Sequence, residues 1–292
     1  MTGLCHCLRE LKVRYRQSTV DTVLLWAKNA APADLAAAMH LRIALAYEDE
    51  RQRKNQEILA LERTSARYLA QTPYILLLSI PGINVISAAD FAGEMGPIEN
   101  YANARAITGR AGLFPSRYQS DRVDRANGPL ARRANRALRA AILGIAENLM
   151  HCNGHFGRLA TTWKTAGKDP RRTYVKIASR FSRIAFQMVA GRRVFRHPSM
   201  RERSYILDKL LAFHIAHHTP WLEVREDLDQ SLLHIPAKEH AAEAQPLVDR
   251  MHAAGAGRKQ GPQPLSEILT LVLARLGVGV VTSTPSGEKD LT

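Results

Sequence analysis

Ser120 stands in the run Arg117-Tyr118-Gln119-Ser120-Asp121-Arg122, with Arg125 three residues further on. A hydroxyl among three guanidiniums has the parts for phosphoryl chemistry. The arginines can hold a phosphodiester and neutralise the charge that builds on it while the hydroxyl attacks phosphorus. The same serine can also act as an ordinary hydrogen-bonding residue, and a polar, irregular loop is the local structure expected after the apolar segment Ile107 to Phe114.

Two kinds of element must position this loop. Upstream, Leu76-Leu77-Leu78-Ser79-Ile80-Pro81-Gly82-Ile83-Asn84 predicts an apolar helix that ends at a Pro-Gly turn, followed by a second amphipathic helix from Val85 to Met95. The spacing is that of a helix-hairpin-helix element. Its hairpin and following helix N-terminus can aim backbone N–H groups at a phosphate, so Pro81, Gly82, Ile83 and Asn84 are candidate DNA contacts. Asn84 stands where such hairpins carry a second glycine, and Asn is the non-glycine residue that best tolerates a left-handed backbone. A plain helical turn is the alternative.

Downstream, Arg132, Arg136 and Arg139 fall at i, i+4 and i+7, one predicted helix face, with Arg133 beside them and an apolar stripe of Leu138, Ile142, Ile145 and Leu149. A second helix repeats the pattern, with Arg172, Lys176, Arg180 and Arg183 on one stripe and Ile177, Phe181, Ile184 and Met188 on another. Solvated charge faces are common. Two unneutralised stripes flanking a polar loop nevertheless favour nucleic acid.

The charge distribution agrees. Residues 101–200 hold 20 Lys and Arg against Asp121, Asp124, Glu147 and Asp169, a net +16, so the rest of the chain sums to −2 of the total +14. A concentrated positive surface fits a polyanion, whose counterions are released when several basic side chains engage it together. The apolar runs Tyr74 to Ile80 and Val278 to Val281 are far shorter than the ~20 residues that cross a bilayer, so no integral membrane role is expected. Cys5, Cys7 and Cys152 lack disulfide-framework spacing and indicate a reducing, cytoplasmic setting. Cys5 and Cys7 lie too close together for an ordinary zinc clip, and Cys152 with His155 supplies only two ligands.

With 292 residues, 46% of them hydrophobic, the chain can bury one core and a second, smaller one. The fold class expected is mainly α, in three parts: a helical or coiled-coil arm over 1–72, a basic domain over 73–197, and a helical extension over 198–292. In the arm, Leu4, Leu8, Leu11 and Tyr15 recur at helical spacing, and Asp34 can cap a second helix carrying Leu35, Met39, Ile43, Ile58, Leu61 and Leu69. Glu48, Asp49 and Glu50 read as a solvated cluster. In the extension, His214, His217 and His218 read as packing or solvated residues, Gly255 to Pro264 as a linker, Leu265 to Leu276 as an apolar helix, and the tail from Thr282 as disordered.

In order and spacing, Ser79-Ile80-Pro81-Gly82-Ile83, Ala111-Gly112-Leu113, Arg117-Tyr118-Gln119-Ser120, Arg132-Arg133-Ala134-Asn135-Arg136-Ala137-Leu138-Arg139 and the helix with Lys176, Ala178 and Arg180 resemble the C-terminal domain of the insertion sequence 110, 116 and 902 transposases, from about Pro73 to Phe195. Ala134 stands where the family usually has Gly, a change expected to be tolerable within a helix. The resemblance implies that Ser120 is the nucleophile that joins the protein covalently to DNA during recombination, that the partner is DNA, and that a structured guide RNA and a homo-oligomer accompany it in some members. It also implies an N-terminal ribonuclease-H-like domain whose four acidic residues bind divalent metal. No such domain is read here, so the expectation is a truncated transposase with no cofactor of its own and Mg2+ only alongside that domain, located in the cytoplasm with the nucleoid. A non-catalytic DNA- or RNA-binding remnant is the alternative. Residues after Met200 extend past the usual family ending, as an addition or read-through sequence.

Overall fold

The computed structural model describes residues 16–29, 35–115, 118–120, 123–125, 128–198, 203–255 and 264–278. The expectations for Cys5, Cys7, the Leu4 to Tyr15 repeat, Asp34, Arg117, Arg122, most of the linker and the C-terminal tail lie outside these residues. The chain divides into two compact units, residues 1–62 and 63–292. The mainly α expectation holds, since the strands among the described residues are two of three residues each.

The first unit contains α1 (Gln17–Asn29) and most of α2 (Leu35–Ala70). Alternating charges lace the middle of α2: Glu48 with Arg51 at 2.6 Å, Glu50 with Arg53 at 2.6 Å, and Glu57 with Arg53 at 2.7 Å and Lys54 at 3.0 Å. These i,i+3 and i,i+4 pairs support a helix with little of its own surface buried. The bidentate Arg51 guanidinium holds the Glu48 carboxyl down at about 2. Leu35, Met39, Ile43 and Tyr47 recur every fourth residue and are all exposed.

In the second unit a buried 3-10 helix, Pro73–Ser79, forms the centre instead of the predicted α-helix. Thr72 and Pro73 start it. Apolar side chains from Ile75 to Leu78 are all fully buried, which requires neighbours on every side rather than along one stripe. Those neighbours are α3 (Val85–Met95), α7 (Pro170–Ala190) and α8 (Ile206–Ala216). Tyr74, Phe91 and Phe181 form an edge-to-face series with centroids 6.0 and 5.3 Å apart, and the Tyr74 hydroxyl donates to the Gly96 carbonyl at 2.7 Å.

Around this centre the helices begin at polar caps. Asn84 opens α3, Asn103 opens α4 (Ala104–Arg110), Asn135 opens α5 (Arg136–Cys152), Asn153 opens α6 (Gly154–Thr165) and Asp169 opens α7, each accepting from first-turn amides. Such caps contribute about 1 kcal/mol each. Between α4 and α5 the chain makes an antiparallel hairpin of β1 (Tyr118–Ser120) and β2 (Val123–Arg125). The predicted stripe Leu138, Ile142, Ile145 and Leu149 is fully buried where α5 packs on α3, α6 and α7.

The extension joins the same core through α8, α9 (Trp221–Leu232), α10 (His240–Gly255) and α11 (Pro264–Arg275). His214 is buried, as its packing role requires: Nδ1 lies 3.1 Å from Thr219 Oγ1 and Nε2 3.3 Å from Asp227 Oδ2. Burial lowers the imidazole to about 4 and raises the Asp227 carboxyl to about 6, so at neutral pH this contact joins a neutral ring to a carboxylate. No helix among the described residues is long and apolar enough to cross a membrane.

Tyr205 starts α8 without a side-chain cap, and Glu243 of α10 supplies the missing acceptor, its Oε2 3.0 Å from the Leu207 amide. Burial raises this carboxyl to about 7. A folded-state value above the unfolded one makes protonation stabilising, so the contribution is present below about 4.5 and lost as pH rises through about 7. Glu243→Gln keeps an acceptor and removes the titration. Thermal melts should show the variant matching wild type near pH 4.5 and exceeding it at pH 8 by at most about 3 kcal/mol; a pH-independent difference would contradict this.

Candidate nucleic-acid interface

The Pro-Gly turn exists, but its backbone differs from the expectation. Gly82 adopts φ +95°, which favours glycine, and a Cβ there would come within 3.3 Å of the Asn148 carbonyl and of Cys152 Cβ on α5. Asn84 is not left-handed. At φ −100° and ψ 172° it is an N-cap in a capping box, its Oδ1 accepting from the Ser87 amide at 2.8 Å while Ser87 Oγ accepts from the Asn84 amide at 3.2 Å. The residue in the second glycine position therefore works by accepting a hydrogen bond at a helix start, a role Asn performs better than Gly. Ile83 is buried and Pro81 half-buried.

Two distant side chains hold the outer carbonyls of this turn. Lys209 Nζ donates to the carbonyls of Leu78, Ile80 and Ile83 at 2.9, 3.0 and 2.8 Å, and Asn153 Nδ2 donates to the Pro81 carbonyl at 2.9 Å. Burial pushes the Lys209 amine down to about 8; three convergent carbonyls favour the ammonium, which is charged at pH 7. With these acceptors engaged, the amides of Gly82, Val85 and Ile86 have no hydrogen-bond partner among the described residues. Neither Lys209 nor Asn153 was legible as part of the hairpin, because no local pattern links residues 72 or more positions apart.

Ser120 lies on a strand rather than in an irregular loop. It pairs with Val123, and only residues 121 and 122 separate the two strands, so Ser120 stands beside the hairpin tip. Arg125 pairs with Tyr118 at the opposite end. The hairpin rises from a bridge between Pro115 and Leu130, which keeps the Ser120 Cα within about 18 Å of Pro115.

The predicted helix face of Arg132, Arg136 and Arg139 does not form. Asn135 accepts from the Leu138 amide at 2.9 Å, so α5 starts at Arg136, and Arg132, Arg133 and Ala134 precede it. Arg139 turns inward: Nε donates to the Ala111 carbonyl at 2.8 Å and the guanidinium reaches the Ala131 carbonyl, tying the two ends of the hairpin segment together. Ala134 is likewise not helical. It packs on Gly112, where φ is +61° and an added Cβ would stand 2.6 Å from Ala134 Cβ. Arg132, Arg133 and Arg136 remain exposed, without an ion-pair partner among the described residues. Arginines at a helix N-terminus oppose the helix dipole, and an anion bound there would relieve both.

The α7 stripe is as expected on its basic side. Arg172, Lys176, Arg180 and Arg183 line one groove of about 930 Å3 together with Leu113, Pro115 and Leu130 at the root of the Ser120 hairpin. On the apolar side Ile177, Phe181 and Met188 are buried and Ile184 is half-buried. Trp163 of α6, absent from the sequence reading, forms part of the groove wall, with Lys176 Nζ 5.6 Å and Lys168 Nζ 5.8 Å from its ring centroid. Asp169 is the groove's carboxylate, and its side chain accepts from the Arg171 amide at 2.8 Å. No ion pair neutralises Arg172, Lys176, Arg180 or Arg183 among the described residues. Tertiary packing therefore brings the second basic stripe and the base of the serine hairpin to one surface. Among the described residues no group of three or more His, Cys, Asp and Glu could hold a metal ion.

Residues 74–161 match the profile of the transposase IS116/IS110/IS902 family. The matched segment runs from the central 3-10 helix through the Pro-Gly turn, the Ser120 hairpin and α5 into α6, and stops short of the basic stripe of α7. No curated protein matches the chain.

Proposed function

Because residues 74–161 match the transposase IS116/IS110/IS902 family, we propose that this protein is an insertion-sequence transposase that binds DNA along the groove between α7 and the serine hairpin and uses Ser120 as the nucleophile in strand cleavage. The observation that carries the binding reading is the unneutralised run of Arg172, Lys176, Arg180 and Arg183 at the root of the hairpin that presents Ser120. Cations held at about 5–6 Å intervals on a helix face can follow successive phosphates. The unpartnered amides of the Pro-Gly turn supply a second grip, where the N-terminus of α3 favours an anion.

The residues support the following chemistry. The phosphodiester is oriented by guanidiniums, the Ser120 hydroxyl adds to phosphorus, its proton passes to a base, and a DNA hydroxyl leaves as the phosphoserine ester forms. The described residues provide no donor set for the Mg2+ that the family resemblance implies. The second reading is a module that binds nucleic acid without cutting it. A structured guide RNA presents the same phosphates and suits the same surface. The exposed row Leu35, Met39, Ile43 and Tyr47 suits a helical arm shared with a second copy.

The binding reading is tested by titrating duplex DNA against the intact protein at several salt concentrations. Four or five phosphate contacts give a slope of log K against log salt of about −4. Affinity that does not change with salt would rule out the groove as a phosphate-tracking surface.

A further inference from the structure

The basic groove contains one feature that duplex binding does not require. Trp163 is half-buried in its wall, with the ammonium groups of Lys168 and Lys176 5.8 and 5.6 Å from the ring centroid. We infer that Trp163 is a stacking platform for an unpaired base and that the groove takes a single-stranded segment of nucleic acid. This inference rests on the nucleic-acid reading above and specifies the strand state that the groove recognises.

Three observations support it. A volume of about 930 Å3 is sufficient for a base with its sugar and phosphate. The charge is complementary to a backbone: Arg171, Arg172, Lys176, Arg180 and Arg183 line the groove against Asp169 alone, and the Asp169 carboxylate is already engaged by an amide of its own helix. The ammonium groups of Lys168 and Lys176 lie over the Trp163 ring, and an aromatic ring combined with cations is how proteins hold single strands, the base stacking on the ring as the ammonium groups turn to its phosphates.

The test uses the full chain with Trp26→Phe and Trp221→Phe, which leaves Trp163 as the sole tryptophan. Single-stranded oligodeoxythymidine should quench Trp163 emission, whereas an abasic oligomer of equal length and charge should bind with little quenching. In the otherwise wild-type chain, Trp163→Ala should weaken oligodeoxythymidine binding about tenfold or more, Trp163→Phe should restore most of it, and duplex affinity should fall several-fold less than single-strand affinity. Absence of quenching by bound oligodeoxythymidine, or equal losses for single strand and duplex, would overturn the stacking role while leaving the DNA-binding reading intact. Failure of the wild-type protein to bind either form would remove both.

Discussion

Replacing Arg172, Lys176, Arg180 and Arg183 together with Ala is expected to weaken DNA binding about a hundredfold near physiological salt and to bring the salt slope close to zero. Each phosphate-contacting cation contributes about one unit of that slope, because each releases about one condensed counterion. The four side chains share one groove and lack ion-pair partners among the described residues, so their removal leaves no carboxylate stranded. Thermal stability should be unchanged or slightly higher, since like charges at helical spacing repel. Arg139→Ala is the informative comparison. Its guanidinium serves the Ala111 and Ala131 carbonyls, so its loss should lower the melting temperature and leave the salt slope as it was. If the quadruple variant retains wild-type slope, the stripe is a solvated face and the groove is not the interface.

The second large effect concerns Ser120. With DNA carrying the element ends and divalent metal present, Ser120→Ala should reduce the covalent protein–DNA adduct by at least ~10^3-fold, below detection on a denaturing gel, because alanine has no nucleophile to offer. Duplex affinity should stay within twofold, since the groove cations are untouched. This combination separates chemistry from binding. An adduct that persists in Ser120→Ala assigns the nucleophile elsewhere. Binding without an adduct from the wild-type chain supports the non-catalytic reading.

Local structure was legible in the sequence where its cause is local. The stripe Leu138, Ile142, Ile145 and Leu149 fixes the inner face of α5, since a helix repeats every 3.6 residues and only one face can meet the core. The same logic located the basic side of α7. It failed at the start of α5, where Arg132, Arg136 and Arg139 share a helical spacing but Asn135 caps the backbone and begins the helix at Arg136. A capping hydrogen bond outweighs a spacing pattern because the amides it satisfies would otherwise be left unpaired. Asn84 follows the same rule: the expectation of a left-handed residue gives way to a capping box with Ser87.

The sequence by itself determined the helical character, the concentration of charge in residues 101–200, the Pro-Gly turn and the candidate serine, because composition, periodicity and turn chemistry act over a few neighbouring residues. Only the tertiary structure decided which cations remain available and what stands beside them. It turned Arg139 onto two carbonyls, placed Lys209 of α8 and Asn153 against the hairpin, and brought Trp163, the α7 stripe and the root of the Ser120 hairpin into one groove. Those outcomes depend on contacts between residues far apart in the chain, where burial forces each polar group to find a partner that no local pattern names.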